Sequence, residues 1–350
     1  MTVTIRDVAQ AAKVSQATAA RALGDYGYVS AASRRRVTAV AERLGYVPNS
    51  VARALASGVT ATIGLVVSDI ENPFFAAAAR GLSDVVEEAG HTVLLASSDE
   101  DLGRERDAVE ALRVRRVDGL VVVPSSATPV PHLRAAAQAG PLVLLDRAVR
   151  GLGVDAVTVD NVAGARAATE HLLGHGYRTI GLVSDGPEIS SSAERIRGYR
   201  DALTAAGVTP DERLVSIGGP TRDDGYGAAL ALLRRGDPPR ALFTANNFMT
   251  LGAMRALRDL GLHLPGDVAL VGFDDLEWTT LVDPPVSVVA QPATELGREA
   301  GRRILLRMAG EGGRPRRVRL PTSLIVRRSC GCDLDDPDGP EPARARRSGA

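Results

Sequence analysis

From residue 61 onward, short continuous apolar runs alternate with amphipathic segments, and this leaves few folds open. The runs fall at 63–67, 92–96, 119–123, 142–145, 157–159, 179–183, 241–244, 268–271 and 286–289. Segments of helical period separate many of them, at 73–89, 103–114, 163–173, 192–206, 222–233 and 249–260. A strand that is apolar along its whole length must be buried on both faces, so the pattern predicts α/β architecture, with parallel sheets flanked by helices. Ile63-Gly-Leu-Val-Val-Ser-Asp69 is echoed by Ile180-Gly-Leu-Val-Ser-Asp185, which predicts two similar lobes. In such sheets ligands sit beyond the carboxyl ends of strands, where this chain places Asp69, Ser125, Asp146, Ser184, Asn246 and Asp274. Two further short strands are expected at 318–320 and 324–326.

The first 48 residues follow a different rule. Thr4 and Asp7 form a helix-start signal, and Ile5, Val8 and Ala12 recur at helical spacing. Lys13-Val14-Ser15 is a turn, and Ser15 is placed to cap a second helix by accepting from the N–H of Ala17 or Thr18. At 100° per residue, Ala19, Ala22 and Leu23 share one side of that helix and Gln16, Ala17 and Arg21 the other. The second set suits a DNA major groove: Gln pairs with adenine, Arg with guanine, and an Ala methyl meets a thymine methyl. The bland alternative is a small helical hairpin with a solvated face. A third helix is expected from a Ser30 cap to about Leu44, with Val37, Val40, Ala41 and Leu44 as its stripe. Arg34, Arg35 and Arg36 at its start are either phosphate contacts or a solvated face. Residues 49–57 read as a short helix capped by Asn49, a length that is marginal in water without a partner.

Charge separates these parts. The 350-residue chain has a formal net charge of zero, yet residues 1–60 hold eight Lys and Arg against three Asp and Glu, so the remainder is acidic by the same margin. A basic head on an acidic body suits phosphate binding by the head. There is no run of eighteen apolar residues and no apolar leader, which predicts a cytoplasmic protein. Cys330 and Cys332 are the only cysteines and the five histidines are spread along the chain, so the pair reads as reduced surface thiols rather than a metal or redox site. From Asp333 the composition predicts disorder, and the tail is taken to begin at 330. Gly151-Leu-Gly-Val-Asp-Ala156 fits a dinucleotide pattern but leads into a strand, and no other catalytic motif is present, so no enzyme and no cofactor are expected.

Taken together, Thr4-Ile-Arg-Asp-Val-Ala9, Val14-Ser-x-Ala-Thr18, Leu44-Gly-Tyr-x-Pro-Asn49, Asn72-Pro-Phe-Phe75, Val117-Asp-Gly119, Val271-Gly-Phe-Asp-Asp275, Pro284-Pro285 and Gln291-Pro292 resemble the lac-repressor/galactose-repressor family of bacterial transcription regulators. The resemblance runs from Thr4 to about Ser329. It implies a helix-turn-helix DNA-binding domain over 1–48, a hinge helix and linker over 49–60, and a two-lobed, periplasmic-binding-protein-like core over 61–329 that binds effector and dimerises. The DNA contacts it implies are Thr4, Ser15, Gln16, Ala17, Thr18, Arg21 and Tyr28 in the head, and Asn49, Ala52, Arg53 and Leu55 in the hinge, with Leu55 wedged between base steps. The implied effector contacts are Phe74, Phe75, Ser125, Asp146, Arg195, Asn246 and Asp274, with Trp278 either lining the same mouth or packed under a loop. The function implied is a homodimeric repressor of a pseudo-palindromic operator, controlled by a small molecule, with a sugar as the first expectation. Carboxylates, an amide and a guanidinium around an aromatic suit hydroxyl groups. A nucleobase, a phosphorylated metabolite or a protein partner is the alternative.

Two segments depart from the family pattern. Ala19-Ala20-Arg21 stands where Val-Ser-Arg is usual, and Asn247 follows Asn246 where Asp is usual. The second removes a negative charge beside the expected cleft. No apolar heptad follows the core, so a tetramer-forming tail is not expected.

Overall fold

The computed structural model describes residues 3–24, 27–46 and 59–332. They divide between two compact units that part at residue 62, with residues 116–118 joining the first. In the first unit, α1 (Ile5–Ala11), α2 (Gln16–Gly24) and α3 (Ala31–Leu44) enclose a small core. The Asp7 carboxylate accepts from the Thr4 N–H at 2.8 Å and from its hydroxyl at 2.7 Å. Ser15 accepts from the Thr18 N–H at 3.1 Å, which starts α2, and Ser30 accepts from the Ser33 N–H, which starts α3. Gly45, in the left-handed region at φ 64°, ends α3. The core side chains are short: Val8, Ala9, Ala12, Ala19, Ala22, Val37, Val40 and Ala41. Three short helices can only exclude water this way if their backbones approach closely.

The second unit contains two lobes of similar plan. In one, the sheet runs β11 (Arg317–Leu320), β5 (Asp155–Val159), β4 (Leu142–Leu145), β3 (Gly119–Val122), β1 (Thr62–Val67) and β2 (Thr92–Ser97). In the other it runs β12 (Ser323–Ile325), β10 (Ser287–Ala290), β9 (Ala269–Phe273), β8 (Ala241–Thr244), β6 (Ile180–Ser184) and β7 (Val215–Ile217). The echoed strands β1 and β6 occupy equivalent places, second from one edge. β12 pairs antiparallel with β10, whereas β6, β8, β9 and β10 pair in parallel. Helices α4 (Pro73–Glu88), α5 (Leu102–Val114), α6 (Pro131–Ala139) and α12 (Ala293–Met308) belong to the first lobe. Helices α7 (Asn161–Gly174), α8 (Ser190–Ala205), α9 (Arg222–Leu233), α10 (Asn247–Asp259) and the short α11 (Trp278–Leu281) belong to the second. The described chain passes between the lobes after β5, after β10 and after β11, each time within a few residues.

Helix α12 returns from the second lobe to close the first. Its Gly297 lies so close to α4 that an added Cβ would stand 1.8 Å from the Ala78 carbonyl oxygen, and Gly81 stands in the same relation to Thr294 at 1.9 Å. The helices meet backbone to backbone. Asp155, fully buried at the start of β5, fixes the far end of α12. Its carboxylate accepts from Arg303 at 2.6 and 2.9 Å, from Arg307 at 2.6 and 3.0 Å, and from the Arg316 N–H at 2.7 Å. Burial alone would raise this carboxyl, but the hydrogen bonds from Arg307, Arg316 and Arg303 hold it below its ordinary value.

Candidate functional site

The carboxyl ends of strands from both lobes face one narrow, polar cleft between them. Asp146, after β4, and Asp274, after β9, both adopt left-handed backbone at φ 65° and 79°. Asp99 and Glu100, after β2, do the same at 49° and 58°. Non-glycine residues rarely hold this conformation, at a cost of about 1–3 kcal/mol each; Glu100, Asp146 and Asp274 line the cleft, while Asp99 stays exposed and pairs with Arg104.

Asp274 is the hub on the second lobe. One oxygen accepts from the backbone and side-chain N–H groups of Asn247 at 3.1 and 3.0 Å, and the other accepts from Gln291 at 2.5 Å. The same Asn247 amide donates to Asn72 of the first lobe at 3.0 Å. An aspartate at 247 would set a second carboxylate against Asp274, so the departure from the family pattern exchanges a repulsion for a lobe-to-lobe bond. Ala148 N–H to Ser190 and Ala127 N–H to the Glu188 carbonyl bridge the lobes as well, at 3.0 and 2.8 Å. Arg195 donates to Asn161 at 2.8 Å and to the Ala245 carbonyl at 2.6 Å, and lies 3.8 Å over the Phe273 ring. Arg147 is held by both oxygens of Glu100 at 2.6 Å. Phe74 and Phe75 meet edge to face at the start of α4 and form an apolar wall. Burial raises Asp146 to about 6; Arg147 and Arg195 oppose the rise, while Asp274 and Glu100 add to it. Asp185 is raised by burial too.

In the other unit, Gln16, Ala17 and Arg21 project from α2 into solvent, while Ala19 and Ala22 of the same helix are buried. Thr18 is half-buried, and Tyr28 is 90% exposed. Of the arginine triplet, Arg35 and Arg36 are exposed, while Arg34 donates to the Ala22 carbonyl at 3.2 Å and so closes the end of α2.

Residues 4–49 match the family model for bacterial regulatory proteins of the lacI family, and residues 169–330 match the model for a periplasmic binding protein-like domain. The transcriptional regulator GalR of Salmonella typhimurium is 36% identical over 328 residues, spanning 93% of this chain and 95% of GalR. The chain belongs to the lacI family. Among solved structures of lacI-family relatives, the lac repressor dimer bound to operator and the anti-inducer ONPF is 27% identical with a TM-score of 0.81, over 94% of this chain and 99% of the repressor. The CelR–cellobiose complex is 34% identical with a TM-score of 0.71, over 93% and 99%. This lacI-family chain is therefore a DNA-binding transcriptional regulator with a helix-turn-helix head and a periplasmic-binding-protein-like core. No helix among its described residues is long and apolar enough to cross a membrane.

The residues expected at the effector site of this lacI-family chain divide as follows. Phe74, Phe75, Asp146, Arg195, Asn246 and Asp274 line the one cleft. The Asn246 side-chain Oδ1 caps α10 by accepting from the Met249 N–H at 2.9 Å. Ser125 lines an adjoining hollow that shares Glu100, Asp185 and Pro220 with the cleft, and its backbone is tied to Glu105. Trp278 does not line the cleft; it packs against the second lobe's core. Glu100, Arg147, Asp185 and Gln291 line the cleft without having been singled out. Each follows a strand or its turn, a position that the strand-end rule covers but that does not by itself select a residue. The hinge expectation for 49–57, with Asn49, Ala52, Arg53 and Leu55, lies outside the described residues, as does the tail from 333.

Two expectations fail at the chain's end. Cys330 is fully buried rather than a surface thiol, so the ordered core runs past 330. His171 and His175, apparently remote in sequence, stand beside the two cysteines.

Proposed function

We propose that this regulator represses a pseudo-palindromic operator as a homodimer and that a neutral sugar, bound in the cleft, sets its operator affinity. The observation that carries the sugar reading is a set of buried polar atoms in and beside the cleft that make no hydrogen bond among the described residues: Asp146 Oδ1, Asn247 Oδ1 and Gln291 Oε1, with Arg147 Nε reaching only Asp146 Oδ2 at 3.6 Å. Leaving such atoms unpaired is costly, and hydroxyl groups, which both donate and accept, match them in kind. Charge argues against a phosphorylated ligand. Asp69, Glu100, Asp146, Asp185 and Asp274 outnumber the two guanidiniums of Arg147 and Arg195, and Arg147 is already held by Glu100. That the related CelR is solved with cellobiose supports the same reading. Thermal unfolding of the full chain against neutral sugars, sugar phosphates and purines tests it. A ligand at 100 times its Kd adds about 2.7 kcal/mol, and stabilisation confined to sugar phosphates or purines refutes the reading.

A pH dependence follows. A sugar hydroxyl donating to Asp146 binds its ionised form, so affinity should rise as pH passes up through about 6 and fall by up to about tenfold per unit below it. The free protein responds in the opposite sense. With the folded value above the ordinary 3.8, protonation of Asp146 between about 6 and 3.8 favours the folded state. Calorimetric titration on either side of pH 6 reads the first effect, and a flat profile removes Asp146 from the contact set.

On the DNA side, Gln16, Ala17 and Arg21 are the proposed base readers, supported by their shared exposed face. Arg21→Ala should cost about 1–3 kcal/mol of operator affinity and relax preference at one base pair per half-site. An equal loss on every sequence would instead make Arg21 a phosphate contact. The proposed switch links closure of the lobes to operator affinity through differential affinity of the effector for the two states.

A further inference from the structure

The four side chains His171, His175, Cys330 and Cys332 bring two imidazole nitrogens and two sulfurs within 4.8 Å of one another. They lie away from the cleft. The cleft is at the carboxyl ends of the strands, whereas these residues sit at the opposite end of the second lobe, at the last turn and C-cap of α7. We propose that they form a zinc site of Cys2His2 type that fastens residues 330–332 to α7.

The geometry is specific. His171 and His175 are four residues apart, so they share one face at the carboxyl end of α7. Their rings meet edge to face at 4.8 Å between centroids. Cys332 Sγ lies 3.0 Å from His175 Nε2 and 3.6 Å from His171 Nε2. Bond lengths of about 2.0–2.1 Å to nitrogen and 2.3 Å to sulfur give a tetrahedron with edges of roughly 3.4–3.8 Å. The separations, none above 4.8 Å, need to close by about 1.4 Å or less to reach it. A single Cys–His hydrogen bond would need only one imidazole; two aimed at one sulfur, with a second thiol beside them, are a metal-ligand arrangement. His175 and Cys330 are buried, and His171 and Cys332 are half-buried, so the site is shielded but can be reached by an ion.

The surroundings suit a cation. The carboxyl end of a fourteen-residue helix carries partial negative charge. The Ser287 hydroxyl donates to Cys330 Sγ at 3.1 Å, a bond that strengthens toward a thiolate. Gly331 turns the chain between the cysteines at φ 97°, and an added Cβ would come within 3.1 Å of the Tyr177 hydroxyl. The turn that points both sulfurs at the histidines is therefore closed to other residues. The segment leading to it is built into the lobe: Ser329 accepts from the Ser287 N–H at 2.9 Å and donates to the Leu270 carbonyl at 2.6 Å. Four protein ligands leave no open position, so the role is structural. Binding exchanges the two thiol protons, released to solvent, for one Zn²⁺ held by two thiolates and two neutral imidazoles, with no net change in charge or oxidation state.

The test uses the full chain, stripped of metal under reducing conditions and titrated with Zn²⁺ and, separately, with Co²⁺. The expected results are one zinc retained per chain, thiolate-to-cobalt charge transfer with tetrahedral d–d absorption, and a higher melting temperature for the zinc form. Outer partners of zinc ligands are worth about 10–100-fold, so loss of a direct ligand in Cys332→Ser or His171→Asn should weaken zinc by more than about 100-fold. Both positions are half-buried, and the cobalt spectrum of the unaltered chain stands even if a variant fails to fold. The proposal is overturned if the reduced wild type retains no more zinc than the Cys330→Ser/Cys332→Ser double variant. It is overturned equally if the cobalt spectrum shows no thiolate ligation.

Discussion

Asp274→Ala should lower effector affinity by about 1.5–3 kcal/mol or more, roughly tenfold to 150-fold, while operator affinity without effector stays as it was. The lower figure is the worth of one hydrogen bond to a charged group. A greater loss is expected because Asp274 also positions Asn247 and Gln291, whose amides reach the cleft and the opposite lobe. Calorimetry with the cognate sugar reads the affinity, and fluorescence anisotropy with labelled operator reads the DNA side. Unaltered sugar binding by a folded Asp274→Ala protein would remove this residue from the site.

Asp155→Ala should be the most damaging change to stability, at about 3–5 kcal/mol, the cost of breaking a buried ion pair by removing one partner. It would leave Arg303 buried and Arg307 largely so, with no carboxylate for either. The effect carries a pH signature. Because the folded carboxyl titrates below its ordinary 3.8, its contribution is fully present above that value and is lost as pH falls through the lower one. The gap between wild type and variant in urea unfolding should therefore be widest near neutrality and close in acid. A gap under about 1 kcal/mol at neutral pH would mean that α12 is held by its glycine contacts alone.

The alternation of apolar runs made the two lobes legible, because a doubly covered strand has no polar positions to hide it. The helix-turn-helix was legible for the opposite reason: Ala19 and Ala22 against Gln16, Ala17 and Arg21 is a clean division of one helix into two faces. Helix α12 was not read, because Gly297 and Gly301 and its many arginines look unlike a core element. Those glycines are there for contact with α4, and Arg303 and Arg307 for Asp155, partners more than a hundred residues away in the chain. β7 was missed as a three-residue strand at an exposed edge. In the cleft, Asp146, Asn246 and Asp274 came from strand ends, and Phe75 and Arg195 from family resemblance. Glu100 could not be foreseen, since its role depends on a left-handed turn that brings it to Arg147. The Cys and His cluster shows the same limit most plainly. His175 and Cys332 stand 157 residues apart in the chain, and only the return of the chain after β12 brings them together.

The proposed function requires that the cleft and the operator be coupled. Operator affinity of the full chain, with and without a saturating concentration of a sugar whose binding calorimetry has established, measures that coupling. Coupling free energies between sites usually lie at about 1–3 kcal/mol, so operator Kd should change by roughly 5–150-fold, and the change should disappear in Asp274→Ala. The same operator Kd in the presence and absence of a sugar that demonstrably fills the cleft would contradict it.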